Sequence, residues 1–599
     1  MLINRNNTRQ KDTKTSIWTQ VWHCVLFAVL PAAMFYLMES YDRNPFAQIR
    51  PMAHCFNILL FELIAWSLWL LFKNSAWALS ITGLLSLAAG LTNHYVMAFR
   101  STPFVPWDIF SVKTAASVAS EYDFTPSVRV VIVSLGLFLL ILFSLCFRMR
   151  FPGRLLLRIP LAAALILILV LFAGRLQDES FQTSHSLYPY LFTPSVMVKY
   201  NGFAVTFTMD LAYLKVEKPS GYQKEEAQAI LSACEDASSE TAEEEFPNLI
   251  VIMDEAFSDL SVLGDFATNE DYMPFVHSLQ DGAENTITGT LNVSVCGGNT
   301  ANTEFEFLTG NTMAFLPSGS IPYQQYLNAE TDSLALWLKS LGYATYAQHP
   351  YNASGWERDQ VYPLLGFDDL TFLPDYTPKD KVRSYVSDKR DFEMIISTFE
   401  NKEEGKPAFI FNVTMQNHGG YTDTYEDFTN TITAEELDNS ALDQYLSLLS
   451  LTDRDLESLI EYFSNVEEKT MIVFFGDHQP SNTVARSIQK ANGTDPDNLT
   501  EEENELRYQV PFVIWANFDI EEGQGESTSA NYLAIRALRA AGIPLSSYQT
   551  FLEQVEEFYP CISAVRMEET ADDEQKAKAL LLLDEYKKLE YYQLFDRDE

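Results

Sequence analysis

The stretch Asn248-Leu249-Ile250-Val251-Ile252-Met253 runs without a break into Asp254-Glu255. Six residues apolar on both faces do not suit a sheet wetted on one side. They suit a strand in the middle of a mostly parallel sheet covered by helices on both faces. Three more runs have the same character: 407–413 (Pro-Ala-Phe-Ile-Phe-Asn-Val), 470–475 (Thr-Met-Ile-Val-Phe-Phe) and 510–515 (Val-Pro-Phe-Val-Ile-Trp). Helical periodicity over 433–463 and 332–341 falls between them. The fold class is therefore α/β.

In open α/β sheets, ligands gather beyond the carboxyl ends of the strands. Asp254-Glu255 follows the first run directly, Asn417-His418 follows the second closely, and Gly476-Asp477-His478 follows the third directly. A fourth cluster comes from Cys296-Gly297-Gly298-Asn299-Thr300, a small-residue turn leading into the helical pattern Ala301-Asn302-Thr303-Glu304-Phe305-Glu306-Phe307. Glycines permit a tight turn, and the first N–H groups of a helix favour an anion such as a phosphoryl group. Thr300 is the candidate nucleophile. A threonine hydroxyl is a weak nucleophile at neutral pH, so it needs a metal or a base. Glu255, Thr300, Asp477 and His478 together offer a four-ligand set for one divalent cation. Asp254 is the competing carboxylate.

The stretch His349-Pro350-Tyr351-Asn352-Ala353-Ser354-Gly355-Trp356-Glu357-Arg358 adds groups suited to a phosphate. Arg358 can hold non-bridging oxygens and Trp356 can form an apolar wall, while His418 can donate to the phosphate or protonate a leaving oxygen. A plainer reading gives Arg358 a surface salt bridge to Glu357 or Asp359.

Upstream the chain changes character. Five apolar segments lie at 17–38, 54–72, 76–98, 128–147 and 159–174, and they read as membrane spans. Residues 1–175 carry a net charge of +8 and residues 176–599 a net of −48, within a chain total of −40. The basic residues Arg5, Arg9, Lys11 and Lys14, then Lys73, then Arg148, Arg150, Arg154 and Arg158 fall on one side of the spans, the cytoplasmic side by the positive-inside rule. Five spans then put the acidic domain outside the cell. Its charge repels nucleic acid, which excludes DNA and RNA as partners. Glu62, protonated or paired, and His94, near a helix end, lie within spans and read as structural groups ahead of functional ones. The loop 100–110, with its prolines and interfacial aromatics, reads equally as a lipid guide or an anchor. Six cysteines at irregular spacing argue against a disulfide framework and leave only a Cys234–Cys561 bridge open.

The expected organisation is a five-helix transmembrane domain at 1–175, a connector at 176–245, a catalytic domain at 246–567 and a C-terminal amphipathic helix at 568–599.

Five spans, the Asn-Leu-Ile-Val-Ile-Met-Asp-Glu255 strand, the Gly-Gly-Asn-Thr300 turn, Trp356-Glu357-Arg358, Asn417-His418 and Phe475-Gly476-Asp477-His478 together resemble the lipoteichoic acid synthase family, phosphoglycerol transferases of sulfatase fold in the alkaline phosphatase superfamily. The resemblance implies a sulfatase-like extracellular domain with one divalent cation, Mn2+ first and Mg2+ or Zn2+ as alternatives. It implies Glu255, Thr300, Asp477 and His478 as the metal set, and His349, Trp356, Arg358 and His418 as the substrate pocket. The implied reaction moves glycerophosphate from phosphatidylglycerol in the bilayer, through a covalent threonine, to a teichoic acid or cell-surface glycan at the cell membrane. Asn299 stands where the polyglycerolphosphate synthases carry lysine, which leaves the acceptor open. The alternatives are a phosphoethanolamine transferase or phosphodiesterase of the same superfamily, or an inactive glycolipid-binding scaffold.

Overall fold

A computed structural model of the chain describes residues 17–100, 103–109, 124–146, 148–149, 155–188, 194–214, 216–237, 245–317, 319–496 and 498–597. They divide into two compact units, Met1–Val96 with Phe124–Ala212, and Met97–Asp123 with Tyr213–Glu599. Most of the loop 100–110 singled out above falls in the second unit; its residues 101, 102 and 110 lie outside the described residues.

Among the described residues, five helices are long and apolar enough to cross a membrane: Val21–Glu39, Pro51–Phe72, Ser75–Ala98, Val128–Cys146 and Leu156–Leu176. They match the five segments read from sequence to within a few residues. Large apolar side chains such as Trp22 and Leu156 point outward, 64% and 86% exposed, as expected where hydrocarbon replaces water as the solvent. Arg158 does not reach outward. It is buried, with Nε on the Leu70 carbonyl at 3.0 Å and a terminal nitrogen on that of Leu71 at 3.2 Å. A cation thus satisfies the last carbonyls of the helix Pro51–Phe72, where the helix dipole favours it. Glu62 accepts from the Trp66 indole at 2.8 Å, and His94 Nδ1 lies 2.6 Å from Asp42. Both take structural pairings.

Residues 176–245, expected as a connector, carry the helices Glu179–Ser184, Pro194–Asn201, Phe203–Asp210 and Lys224–Ala237. The last belongs to the second unit and packs there against the helices Ser547–Glu556 and Lys576–Tyr591.

The described residues of the second unit form twelve strands in chain order: β1 Asn248–Asp254, β2 Thr286–Asn292, β3 Ala344–His349, β4 Asp369–Phe372, β5 Lys381–Val382, β6 Tyr385–Val386, β7 Ala408–Val413, β8 Thr470–Gly476, β9 Gln509–Ala516, β10 Gly523–Ser529, β11 Cys561–Ile562 and β12 Met567–Glu568. Eight form one sheet in the order β10-β2-β9-β8-β1-β7-β3-β4, while β5 with β6 and β11 with β12 make two small antiparallel ribbons. All neighbours in the sheet are parallel except across β9, which runs against both β2 and β8. The two-sided apolar reading of the central strands is visible residue by residue. Leu249, Val251 and Met253 enter one core while Ile250 and Ile252 enter the other, and Met471, Val473 and Phe475 alternate likewise with Ile472 and Phe474.

The helix expected from 433 begins at Ser440 and ends at Ser464. Asn439 caps it by accepting from the N–H groups of Ala441 and Leu442. Residues before the cap are extended, with Thr431 and Ile432 both donating to Ser447 Oγ at 2.9 Å and Ala434 bridging to Thr268. Their side chains continue the apolar pattern, but their backbone serves as a strap across the helix. The helix expected over 332–341 spans Leu334–Ser340, capped by Ser333. Cys234, Cys296 and Cys561 are buried free thiols, so the Cys234–Cys561 bridge left open above is not formed.

Gly476 closes β8 directly ahead of Asp477-His478, and a Cβ there would lie 1.8 Å from the Phe257 carbonyl oxygen. No side chain but hydrogen fits without moving the backbone after β1 or after β8. Gly476→Ala is expected to lower stability by about 1–3 kcal/mol in denaturant titration. Its turnover should fall by more than that stability loss explains, because the displaced segments carry Glu255, Asp477 and His478.

Candidate active site and metal centre

The first polar layer beyond the sheet is assembled by backbone stitching. The Asp477 amide donates to the Asp254 carbonyl at 3.2 Å, and the Ala256 amide donates back to Asp477 Oδ1 at 2.7 Å. The end of β8 is thereby locked to the end of β1. The nucleophile turn is tied to the same loop, with Gly297 N–H on the Gln479 carbonyl at 2.9 Å and Thr303 Oγ1 on the Asp477 carbonyl at 2.8 Å. Gly297, Gly298 and Asn299 all have positive φ, at 73°, 146° and 70°. Asparagine is among the few non-glycine residues that tolerate the left-handed region, which accounts for Gly-Gly-Asn ahead of the helix Thr300–Thr309.

This framework brings Glu255, Asp477 and His478 together, with one ligand atom of each lying within 4.8 Å of the others. His478 Nε2 is 3.3 Å from Asp477 Oδ2 and 3.8 Å from Glu255 Oε1, and all three residues are buried. Thr300 Oγ1, also buried, stands 3.4 Å from Glu255 Oε2. His478 Nδ1 donates to the Gln479 carbonyl at 2.9 Å, which leaves Nε2 as the nitrogen with a lone pair. That Nε2 and Asp477 Oδ2 have no hydrogen-bond partner although both are buried. Orphaned acceptors at the centre of two carboxyls and an imidazole fit a divalent cation. Burial pushes the Glu255 carboxyl well above its usual range, and the nearby Asp477 adds to this. Burial also raises Asp477, against the opposing pull of His478. Such a site favours a positive charge strongly.

Asp254 is not part of this centre. Its two oxygens accept from Thr414 Oγ1 at 3.0 Å and Asn417 Nδ2 at 2.8 Å, fixing the loop after β7. Thr414 also accepts from the Glu255 amide at 3.1 Å.

Arg358 is buried against Glu304, not against Glu357 or Asp359 as the plainer reading supposed. Its Nε lies 3.1 and 3.3 Å from the two Glu304 oxygens, and a second, shorter contact comes from Nη2. Burial disfavours the guanidinium, but Glu304 outweighs it and holds Arg358 above its usual value. Glu304 lies one turn beyond Thr300 on the same helix and also accepts from Tyr362 at 2.8 Å. Sequence proximity hid it, because the pairing spans 54 positions. Arg358 Nη1 further reaches His349 Nε2 at 3.1 Å, and His349 Nδ1 donates to the Val413 carbonyl at 2.8 Å. Burial, with Arg358 beside it, keeps His349 neutral, well below its ordinary pKa. Trp356 is half-buried and packs against the larger core, and it and Glu357 are consecutive non-glycine residues at φ 55° and 59°. Strain of that kind costs on the order of 1–3 kcal/mol per residue and persists where surrounding contacts over-determine it; the Arg358–Glu304 pair is such a contact. His418 Nδ1 lies 2.8 Å from the Tyr385 hydroxyl. Burial, then the proximity of His478 and Arg383, pushes His418 down to about 3. Tyr385 and Arg383 lie in a stretch that no motif in the sequence marked.

The two best-placed groups separate stability from chemistry. Arg358→Ala strands a buried carboxylate and is expected to cost about 3–5 kcal/mol, read as a lower denaturation midpoint. Thr300→Ala removes one long hydrogen bond and is expected to shift stability by about 1 kcal/mol or less while abolishing turnover.

Residues 247–543 match the sulfatase family model. A Rhizobium meliloti protein named for cyclic beta-1,2-glucan modification is 30% identical over 420 residues, 68% of this chain and 64% of the relative. Lipoteichoic acid synthase 1 of Bacillus subtilis is 25% identical over 276 residues, 45% of this chain and 41% of that protein. The chain thus spans less than two thirds of the length of either relative. The Streptococcus pyogenes phosphoglycerol transferase GacH, solved with sn-glycerol-1-phosphate, shares the fold at a TM-score of 0.52 and 22% identity, covering 63% of this chain and 95% of that one. Sulfatase-family enzymes of this kind use a divalent metal, and the chain is a membrane protein whose described residues place five apolar helices ahead of a sulfatase-family domain that is similar in sequence to lipoteichoic acid synthases.

Proposed function

We propose that the protein is a membrane-anchored phosphoglycerol transferase that takes glycerophosphate from phosphatidylglycerol and passes it to a glycan hydroxyl. The observation that carries this reading is the Thr300 hydroxyl at the start of a helix, 3.4 Å from Glu255 and facing the orphaned atoms of Asp477 and His478. Glu255, Asp477, His478 and Thr300 Oγ1 would hold a divalent cation, Mn2+ in our reading with Mg2+ or Zn2+ as alternatives, which would supply Lewis acidity toward the hydroxyl and the phosphoryl group.

Thr300 Oγ1 then attacks phosphorus, the bond from phosphorus to the diacylglycerol oxygen breaks, and diacylglycerol leaves as the alcohol after taking up a proton. Glycerophosphate remains esterified to Thr300. An acceptor hydroxyl attacks the same phosphorus, loses its proton, and restores the threonine. Arg358, tied to Glu304, fixes the helix that carries Thr300 and places a positive charge near the phosphate. The imidazole of His418 is neutral across the physiological range, so its part is that of a hydrogen-bond donor and not a charged acid. Trp356 offers an apolar face to the lipid or glycerol portion. The positive-inside pattern places this domain outside the cell, where both lipid donor and surface glycan are found.

A glycan acceptor is favoured over a growing polyglycerolphosphate chain by Asn299, which brings no positive charge to the nucleophile turn. The glucan-modification relative, 30% identical over 420 residues, supports the same choice.

Exposing the full-length protein to phosphatidylglycerol and analysing its peptides by mass spectrometry is expected to show a glycerophosphate adduct on Thr300. Labelled diacylglycerol should be released from phosphatidylglycerol and not from phosphatidylethanolamine. Release from phosphatidylethanolamine alone, or no adduct with either lipid, overturns the assignment.

A further inference from the structure

Three histidines stand around the phosphoryl position, and the structure sets them up differently. His478 and His349 each donate Nδ1–H to a backbone carbonyl, of Gln479 and Val413, at 2.9 and 2.8 Å. Each therefore presents a bare Nε2, one toward the cation centre and the other accepting from Arg358. His418 is tied by a side chain. Its Nδ1 meets the buried Tyr385 hydroxyl at 2.8 Å, with the two rings 5.1 Å apart. A phenol is a stronger acid than a neutral imidazole N–H, and an imidazole nitrogen is a stronger base than a phenol oxygen. The proton of this hydrogen bond therefore sits on tyrosine, and the imidazole proton is left on Nε2.

The contact is held by a built element. Tyr385 is on the ribbon of β5 and β6, whose turn residue Arg383 has φ 56° and is 5% exposed. Arg383 Nη2 donates to the carbonyls of Gln416 at 3.0 Å and of His418 itself at 2.6 Å, and its Nη1 donates to Gln444 at 3.1 Å. Its guanidinium lies over the Tyr421 and Tyr425 rings, 5.5 Å from each. One ribbon thus grips His418 at both its backbone and its ring.

We propose that Tyr385 is a positioning residue that locks His418 as the neutral Nε2–H tautomer, so that His418 serves as the one histidine donor to a phosphoryl oxygen. The donor's role rests on the phosphoryl-transfer reading above; the tautomer does not.

The test uses the full-length protein in detergent micelles with 15N-labelled histidine, the His418 signals being assigned by their loss in His418→Gln. Nitrogen spectra are expected to show Nε2 protonated and Nδ1 bare in the wild type, and a mixture of tautomers in Tyr385→Phe. Nδ1 protonated in the wild type, or a spectrum unchanged by Tyr385→Phe, overturns the inference.

On phosphatidylglycerol, Tyr385→Phe is expected to lower kcat by about tenfold or more with KM and melting temperature close to wild type. His418→Gln, whose amide nitrogen reaches the Nε2 position, should retain more turnover than His418→Asn, whose amide mimics Nδ1. Equal turnover in Gln and Asn variants, or a better Asn variant, contradicts the donor role. That pair carries the test if Tyr385→Phe fails to fold. A wild type that releases no diacylglycerol from any phospholipid defeats the functional reading instead, while the nitrogen spectra still decide the tautomer.

Discussion

Two carboxyl groups, an imidazole and a hydroxyl are buried against one another at the ends of β1 and β8, with no protein cation among their hydrogen-bond partners. Such a cluster is electrostatically unfavourable on its own, because burial penalises each carboxylate and the nearby Asp477 raises Glu255 further. The attraction of a divalent cation offsets that penalty. The rest of the domain can be understood as what is required to hold these four groups in place until that ion is present.

The parallel sheet does most of this work. Because β1, β7 and β8 are adjacent and point the same way, the residues that follow them emerge side by side. Backbone hydrogen bonds between the loops then fix their separation. The nucleophile arrives separately, on the helix Thr300–Thr309, through three consecutive residues in positive φ. That helix is held from its far side by the buried Glu304–Arg358 pair, so the strained segment at Trp356 and Glu357 and the position of Thr300 depend on one ionic contact. A buried pair of this kind stabilises little in net terms, because desolvation offsets most of its Coulombic gain, but its loss is costly. It serves registration more than stability.

The central strands were legible in sequence because burial on both faces leaves a continuous apolar run, and the residues at their ends could be named for the same reason. The strands β2 and β10 were not, since Thr286–Asn292 and Gly523–Ser529 are mostly polar and lack a continuous apolar run. Nor could sequence show that β9 runs antiparallel, because its apolar pattern is indistinguishable from that of its parallel neighbours. Thr300, Glu255, Asp477 and His478 stood out as chemistry-bearing residues next to strand ends or glycine turns. The partner of Arg358 did not, because the pairing spans 54 positions and sequence proximity favoured Glu357 or Asp359. Tyr385 and Arg383 were silent for a related reason. Their importance comes from a two-residue ribbon folded against the His418 loop, and nothing about an isolated tyrosine or arginine reports such a contact.

The central claim is that the buried quartet exists to bind a cation. Elemental analysis of the purified full-length protein after exhaustive dialysis measures this directly. The account predicts about one divalent ion per chain in the wild type and its loss in Asp477→Asn and His478→Ala, with the fold retained. A wild type that keeps no divalent ion, or variants that keep it at the wild-type level, would contradict it.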